Sequence, residues 1–274
     1  MGLKDYPWSN KSGRDEQFEE HIRSQQSANF GFIKVPEDEK VDYVRRHFDA
    51  VARVYDLMNT LLSFGIHLLW KRDAVKRLKL TAAEKVLDVC GGTGDLSILA
   101  SNQTGARGFT ALFDINWEMM AAGFQRIDSA PHGNRIVHVQ GNAEQISFPD
   151  HTFDAAMVGF GIRNVTHMDQ GFREMYRVLK PGGRFMCLEF SKPTNPVFRT
   201  LYDFYSFHIM PLLGQVIAGS RKAYMHLPET IRLFPLPDEL ARTLEEIGFT
   251  RVAYRRYTNG IAVVHTGTKP KSGG

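Results

Sequence analysis

The sequence predicts an α/β protein, with a mostly parallel sheet and helices on both faces. Three observations predict it. Val86-Leu87-Asp88-Val89 runs straight into Cys90-Gly91-Gly92-Thr93-Gly94-Asp95, so a strand-like apolar run meets a glycine cluster. Further apolar runs alternate with helix-like stretches as far as Phe190, the alternation that builds parallel strands. A content of 43% apolar and 23% charged residues suits a soluble domain with a substantial core.

The glycine cluster is the first element. Leu96–Ala100 continues it as a helix. Gly92 and Gly94, with Gly91 before them, allow a tight turn and close approach to a ligand because they lack Cβ. The helix start adds free N–H groups. A dinucleotide fingerprint requires glycine or alanine where Ser97 stands. Asp88 before the turn and Asp95 after it favour a cationic ligand by Coulomb attraction. S-adenosylmethionine (SAM), with its sulfonium and ammonium, fits these charges better than NAD. An ordinary tight turn at the end of a buried strand would use the same glycines. The next strand, Phe109–Phe113, ends at Asp114, placed to accept hydrogen bonds from a ribose diol. Asp114 also suits the start of the helix that follows.

Residues 1–35 lack periodicity and are expected to form a flexible arm, with a short helix near Asp15–Arg23. The main domain is expected over 36–268, and 269–274 as a loose tail. Val41, Val44, Phe48, Val51, Ala52 and Tyr55 recur at helical spacing. Tyr55, Asp56, Asn59, Ser63 and His67 are then threaded through Leu, Met and Phe up to Trp70. Such a stretch is either a satisfied core or a pocket wall. For His67 the core reading is the stronger.

Past Asp114, Arg135–Gln140 reads as strand three and stops at Gly141-Asn142-Ala143. Asn142 and the Ala143 N–H could meet an adenine edge, although an Asx-turn would also place Asn142 there. Ala155–Val158 is strand four and leads into Gly159-Phe160-Gly161-Ile162-Arg163-Asn164, an irregular loop at the ligand edge. Met168–Leu179 reads as a helix stopped by Lys180-Pro181-Gly182-Gly183, and Arg184–Phe190 as strand five. Residues 193–237 crowd aromatics among Met, Leu and Ile. They read as a helical cover, either an extra core layer or a lid over an apolar ligand. Leu236–Ile247 is a helix, and a closing hairpin turns at Asn259-Gly260.

The whole-chain figures narrow the function. The net charge of +4 permits contact with anionic lipid or nucleic acid without requiring it. Cys90 and Cys187 are the two cysteines, each in or beside an apolar run, as expected of buried thiols in a reducing cytosol. No Cys/His spacing suggests a metal. The N-terminus has no apolar signal core, and the longest apolar stretch, Phe207–Gly219, is too short to span a bilayer.

Tyr55-Asp56-x-Met58-Asn59 with Ser63, His67 and Trp70 resembles the first signature of the ubiquinone/menaquinone-biosynthesis C-methyltransferases, the UbiE family. Arg177–Gly183 resembles the second. Asn142-Ala143-Glu144, Phe160–Val165 and Glu189–Pro193 are similar to that family too. The resemblance spans roughly residues 30–268. It implies a Rossmann-like class I methyltransferase whose sheet has seven strands, the last antiparallel. It implies SAM contacts at Thr93, Asp114, Asn142 and Ala143, and carbon methylation of a polyprenylated quinol precursor. Gly159 stands where the family often has Ser, so only its backbone could serve. Cys90 replaces the first glycine of the class I turn, leaving that turn less open.

Methylating an aromatic carbon needs an electron-rich ring held in line with the methyl group. Arg163 is the expected partner for the developing phenolate, with Tyr55 and Asn164 holding ring oxygens. No residue is an obvious dedicated base. A water between Arg163 and Asp114, or His67, is the expected proton route. The expected setting is cytoplasmic, with peripheral contact at the inner face of the membrane through the basic, apolar cover, and with room for a homodimer. Nucleic acid is not expected as a partner, because no strand interleaves aromatic and basic residues to stack bases. An NAD oxidoreductase, an RNA methyltransferase, a methyltransferase for another apolar phenol, and a non-catalytic quinone binder are the competing readings.

Overall fold

The computed structural model describes residues 27–271. The expected helix near Asp15–Arg23 lies outside the described residues. Residues 27–35, expected as part of a flexible arm, instead form most of an antiparallel hairpin, β1 (Ser27–Phe30) with β2 (Ile33–Pro36). Phe30 and Val35 bury against Val44 of helix α1 (Lys40–Val51). This long-range packing holds strands too short to be stable alone. Helices α2 (Tyr55–Leu62) and α3 (Ile66–Arg77) follow.

The parallel core begins with β3 (Lys85–Val89), α4 (Asp95–Thr104), β4 (Phe109–Asp114) and α5 (Trp117–Asp128). It continues through β5 (Ile136–Gln140), β6 (Phe153–Gly159), α6 (Met168–Val178) and β7 (Leu179–Phe190). β7 starts earlier than the expected Arg184: Leu179 pairs with Phe153, and after a register shift Arg184 pairs with Ala155. The helical cover comprises α7 (Pro196–Phe204), a π-turn at Tyr205–Ile209, α8 (Met210–Ala218) and α9 (Arg221–Leu233). Helix α10 (Pro237–Ile247) precedes β8 (Thr250–Tyr257) and β9 (Ala262–Thr268).

The main sheet has seven strands in the order β5-β4-β3-β6-β7-β9-β8. β9 runs antiparallel to both neighbours, and the remaining pairings are parallel. The chain builds outward from β3 to β5, then returns to the other side of β3 with β6. That reversal opens a crevice at the carboxyl ends of β3 and β6, where ligands bind in such sheets. Both sheet faces are covered. One core gathers Leu87, Phe153, Phe172 and Phe185, and the other Trp70, Val86, Met157 and Leu188. The buried residues of β3 and β4 are therefore apolar apart from Asp88 and Thr110. The helical cover joins the body through Met58 and Leu62 of α2 against Met210 and Tyr224. The tail is held at its start, where Lys269 Nζ donates to the Tyr176 carbonyl at 2.7 Å.

Candidate active site

The turn after β3 is built from left-handed residues. Cys90, Gly92 and Gly94 have φ of 53°, 52° and 84°. At Gly94 a Cβ would also lie 2.6 Å from Ile127 Cδ1, so glycine is needed for shape as well as conformation. Cys90 adopts a conformation unfavourable for a side-chain-bearing residue. It fits because Gly161 opposite carries no Cβ; one there would sit within 2.4 Å of Cys90 Cβ.

Around this turn lies the first of two adjoining cavities. Gly91, Gly92, Thr93, Asp114, Asn142, Ala143 and Gly159 line it, as the sequence predicts. Gly94 does not; it caps α4 and acts through the shape of the turn. Asp114 accepts from the N–H groups of Gly92 and Asn116, both at 2.8 Å, while Asn116 caps α5. Burial pushes the Asp114 carboxyl up to about 6. Asn142 forms the Asx-turn as well as lining the cavity, because its Oδ1 accepts from Glu144 N at 3.0 Å. Thr93 Oγ1 donates to Asp56 at 2.7 Å.

The two flanking acids differ. Asp95 is already matched by Lys71 Nζ at 2.6 Å and Arg126 at 2.8 Å, so its expected part in attracting a cation is corrected. Asp88 is fully buried. Its Oδ2 accepts from Ser97 at 2.7 Å, and its Oδ1 has no partner. Burial raises it to about 7. An orphaned carboxylate oxygen beside a glycine cradle fits a ligand that brings positive charge, as SAM does. Ser97, which argues against a dinucleotide, serves here to hold Asp88.

The second cavity, about 460 Å³, lies under the lid. Its lining is mostly apolar, with Arg163 and His67 among the polar groups. Tyr55, Asn164, Phe48, Lys71 and Phe160 line both cavities and so mark their junction. Asn164 Nδ2 is buried there without a hydrogen bond. Arg163 is not the free cation expected from the sequence. Its Nη1 lies 2.8 Å from Glu189 Oε1, with side chains only 7% and 1% exposed. It also donates to the Phe160 carbonyl, while Nε is buried and unpartnered. Burial raises the Glu189 carboxyl, and Arg163 opposes that rise. The pair adds no net charge, which suits an uncharged polar ligand.

The expected water between Arg163 and Asp114 is not supported, since the two residues line different cavities. His67 lines the second cavity, with Thr60 Oγ1 3.3 Å from its Nε2. Burial and the Lys71 charge lower it to about 4, so it is neutral at working pH. His47 and His226 line the second cavity and Glu189 holds Arg163 at its edge, and sequence reasoning missed all three. For Glu189 a signal existed in its strand-five motif. Among the described residues no group of three or more His, Cys, Asp or Glu could hold a metal.

Comparison with known proteins agrees with this geometry. Residues 34–269 match the model of the ubiE/COQ5 methyltransferase family. The chain is 46% identical over 246 residues to the Ubiquinone/menaquinone biosynthesis C-methyltransferase UbiE of Methylococcus capsulatus, covering 90% of this chain and 99% of that protein. Among solved structures, the [4+2]-cyclase SpnF superposes with a TM-score of 0.61 at 15% identity, covering 84% of this chain and 96% of the other. A SAM dependent methyltransferase from Aquifex aeolicus gives 0.52 at 16% identity, covering 72% and 88%. These distant likenesses speak for the fold alone. With a glycine-walled cavity at the sheet's reversal point and a family match over most of its length, the chain belongs to the ubiE/COQ5 methyltransferase family.

Proposed function

We propose that this protein methylates a ring carbon of a polyprenylated quinol, in the biosynthesis of menaquinone, ubiquinone or both. The observation that carries the reading is the second cavity. It is roomy, mostly apolar and charge-balanced, and it meets the donor cavity at Tyr55 and Asn164.

SAM bound in the first cavity supplies an electrophilic methyl group. Asp88 offers its unpaired oxygen to the donor's positive charge, and Asp114 accepts from the ribose. Gly91, Gly92, Thr93, Asn142, Ala143 and the Gly159 backbone complete the cradle. Tyr55 and Asn164 orient the ring at the junction, Asn164 through its unpartnered Nδ2. Arg163 keeps its Nη1 on Glu189 and offers its unpartnered Nε to the ring oxygen that gains negative charge as neutral His67, in the same cavity, takes its proton. The ring carbon gives up its own proton once methylated, and the hydroxyl is restored. The lid and the apolar side chains beneath it keep water from the reacting carbon.

The prenyl tail leaves past an exposed apolar rim. Phe64 is 80% exposed, Leu69 61%, Leu201 64% and Val216 82%. Phe64 and Leu201 also line the second cavity. Such a patch is a contact site, and we assign it to reversible docking on a bilayer surface. No helix among the described residues is long and apolar enough to cross a membrane. Sedimentation with anionic liposomes should fall when Phe64 and Val216 are both changed to Ser. Concentration-dependent mass without liposome binding would favour a homodimer through the same rim.

The reading is tested by incubating the protein with labelled SAM and demethylmenaquinol, a prenylated benzoquinol, or a simple phenol. Label is expected in a prenylated quinol, with kcat/KM falling as the tail is shortened. Equal turnover of a tail-less phenol would favour the other small-phenol reading. SAM binding without turnover of any acceptor would favour the non-catalytic one.

A further inference from the structure

The second cavity has a polar wall built from parts distant in sequence. His47 of α1 and His226 of α9 both line it, with ring centroids 4.7 Å apart. Phe30, from the N-terminal hairpin, stacks on His226 at 4.0 Å and meets His47 edge-on at 5.9 Å. The hairpin therefore braces this wall.

His226 is also oriented from behind. Its Nδ1 is buried and has no hydrogen-bond partner. The hairpin turns at Gly31, with φ of 60°. A Cβ there would lie 3.1 Å from His226 Nδ1 and 2.2 Å from Glu229 Oε2. Only glycine leaves room for both groups. Glu229 Oε2 is fixed by the Phe32 N–H at 3.2 Å. Nδ1 and that carboxylate thus lie against the same point of Gly31, and a tautomer with its proton on Nδ1, facing the carboxylate, leaves Nε2 as the ring's acceptor. Burial and the Arg163 charge lower His47 to about 4 and His226 to about 2. Both rings are thus neutral at working pH, as a hydrogen-bond acceptor must be.

We propose that His226, backed by Glu229 and flanked by His47, accepts a hydrogen bond from a quinol hydroxyl beside Arg163 and so selects the reduced ring over the oxidised one. The inference rests on the quinol reading above. A quinol hydroxyl brings the donor that Nε2 lacks. A quinone carbonyl brings only a second acceptor and leaves both lone pairs unsatisfied in a buried site. The selection is useful because only the reduced ring is electron-rich enough to attack a methyl group.

The test uses the full-length protein and a short-chain prenyl quinol with its matching quinone. The KM for the quinol and the competitive inhibition constant for the quinone give a discrimination ratio. In the unaltered protein the quinol should be favoured. His226→Phe should lower the ratio about tenfold, the loss expected for one buried hydrogen bond, with SAM affinity unchanged. His226→Asn, whose side-chain oxygen can still accept, should recover part of the ratio, which a merely structural role would not produce. An unchanged ratio in a folded His226→Phe protein, or in His226→Leu should His226→Phe fail to fold, overturns the inference. No methylation of any quinol by the unaltered protein would instead overturn the quinol reading itself.

Discussion

The unpartnered oxygen of Asp88 makes SAM affinity depend on pH in a way that can be worked out beforehand. Burial holds the Asp88 carboxyl at about 7, against an ordinary 3.8. It must be ionised to face the donor's positive charge. At pH 8 nearly all of the ligand-free protein is ready. At pH 5 only about one molecule in a hundred is, so affinity should fall roughly a hundredfold between the two. Asp114, at about 6, changes affinity in the same direction. The ligand-free fold has the opposite trend. A carboxyl whose folded pKa is raised holds its proton more tightly folded than unfolded. Its contribution to stability is therefore present at low pH and is lost as pH rises from about 4 towards 7. Calorimetric titration with SAM across pH 5–8, alongside thermal unfolding of the ligand-free protein, measures both trends. Asp88→Asn should remove the larger part of both trends, leaving the smaller share of Asp114, and weaken SAM binding at pH 8. A SAM dissociation constant that stays level from pH 8 to pH 5 would refute the role given to Asp88.

Three further outcomes follow from the site. Arg163→Ala should cost about 3–5 kcal/mol of stability, because it strands buried Glu189, and should lower kcat by about 100–1000-fold with SAM affinity near normal. The double variant R163M/E189Q should regain much of the stability in denaturant unfolding but none of the turnover; recovered turnover would exclude Arg163 from the reaction. Gly94→Ala places a side chain at φ 84° against Ile127 and should lower stability by about 1–3 kcal/mol, read from the unfolding midpoint. Asn142→Ala removes the acceptor of the Glu144 N–H and should weaken SAM binding by about tenfold, measured by the same titration.

Local signals carried much of this protein. The glycine turn, Asp114 at the end of β4 and the alternation of strands and helices are short-range patterns, and each lies where the residues suggest. Pairing over distance was hidden. Nothing near Asp95 shows that Lys71 and Arg126 will neutralise it. Nothing near Arg163 shows that Glu189, a whole helix and strand later, will hold its Nη1. The hairpin at residues 27–36 has strands of only four residues, too short for the alternation in Ser-Ala-Asn-Phe to stand out. Its order comes from Phe30 packing on His47 and His226, contacts that exist only once α1 and α9 have met. For the same reason the two histidines look like isolated residues in the sequence and become one wall in the fold.

The most direct measurement is a single turnover with SAM carrying a carbon-13 methyl group and a prenylated quinol, read by carbon NMR. One new methyl signal on a ring carbon, with both hydroxyls free, is the expected result. Label on an oxygen, or label that stays on sulfur, would contradict a ring carbon meeting the donor at Tyr55 and Asn164.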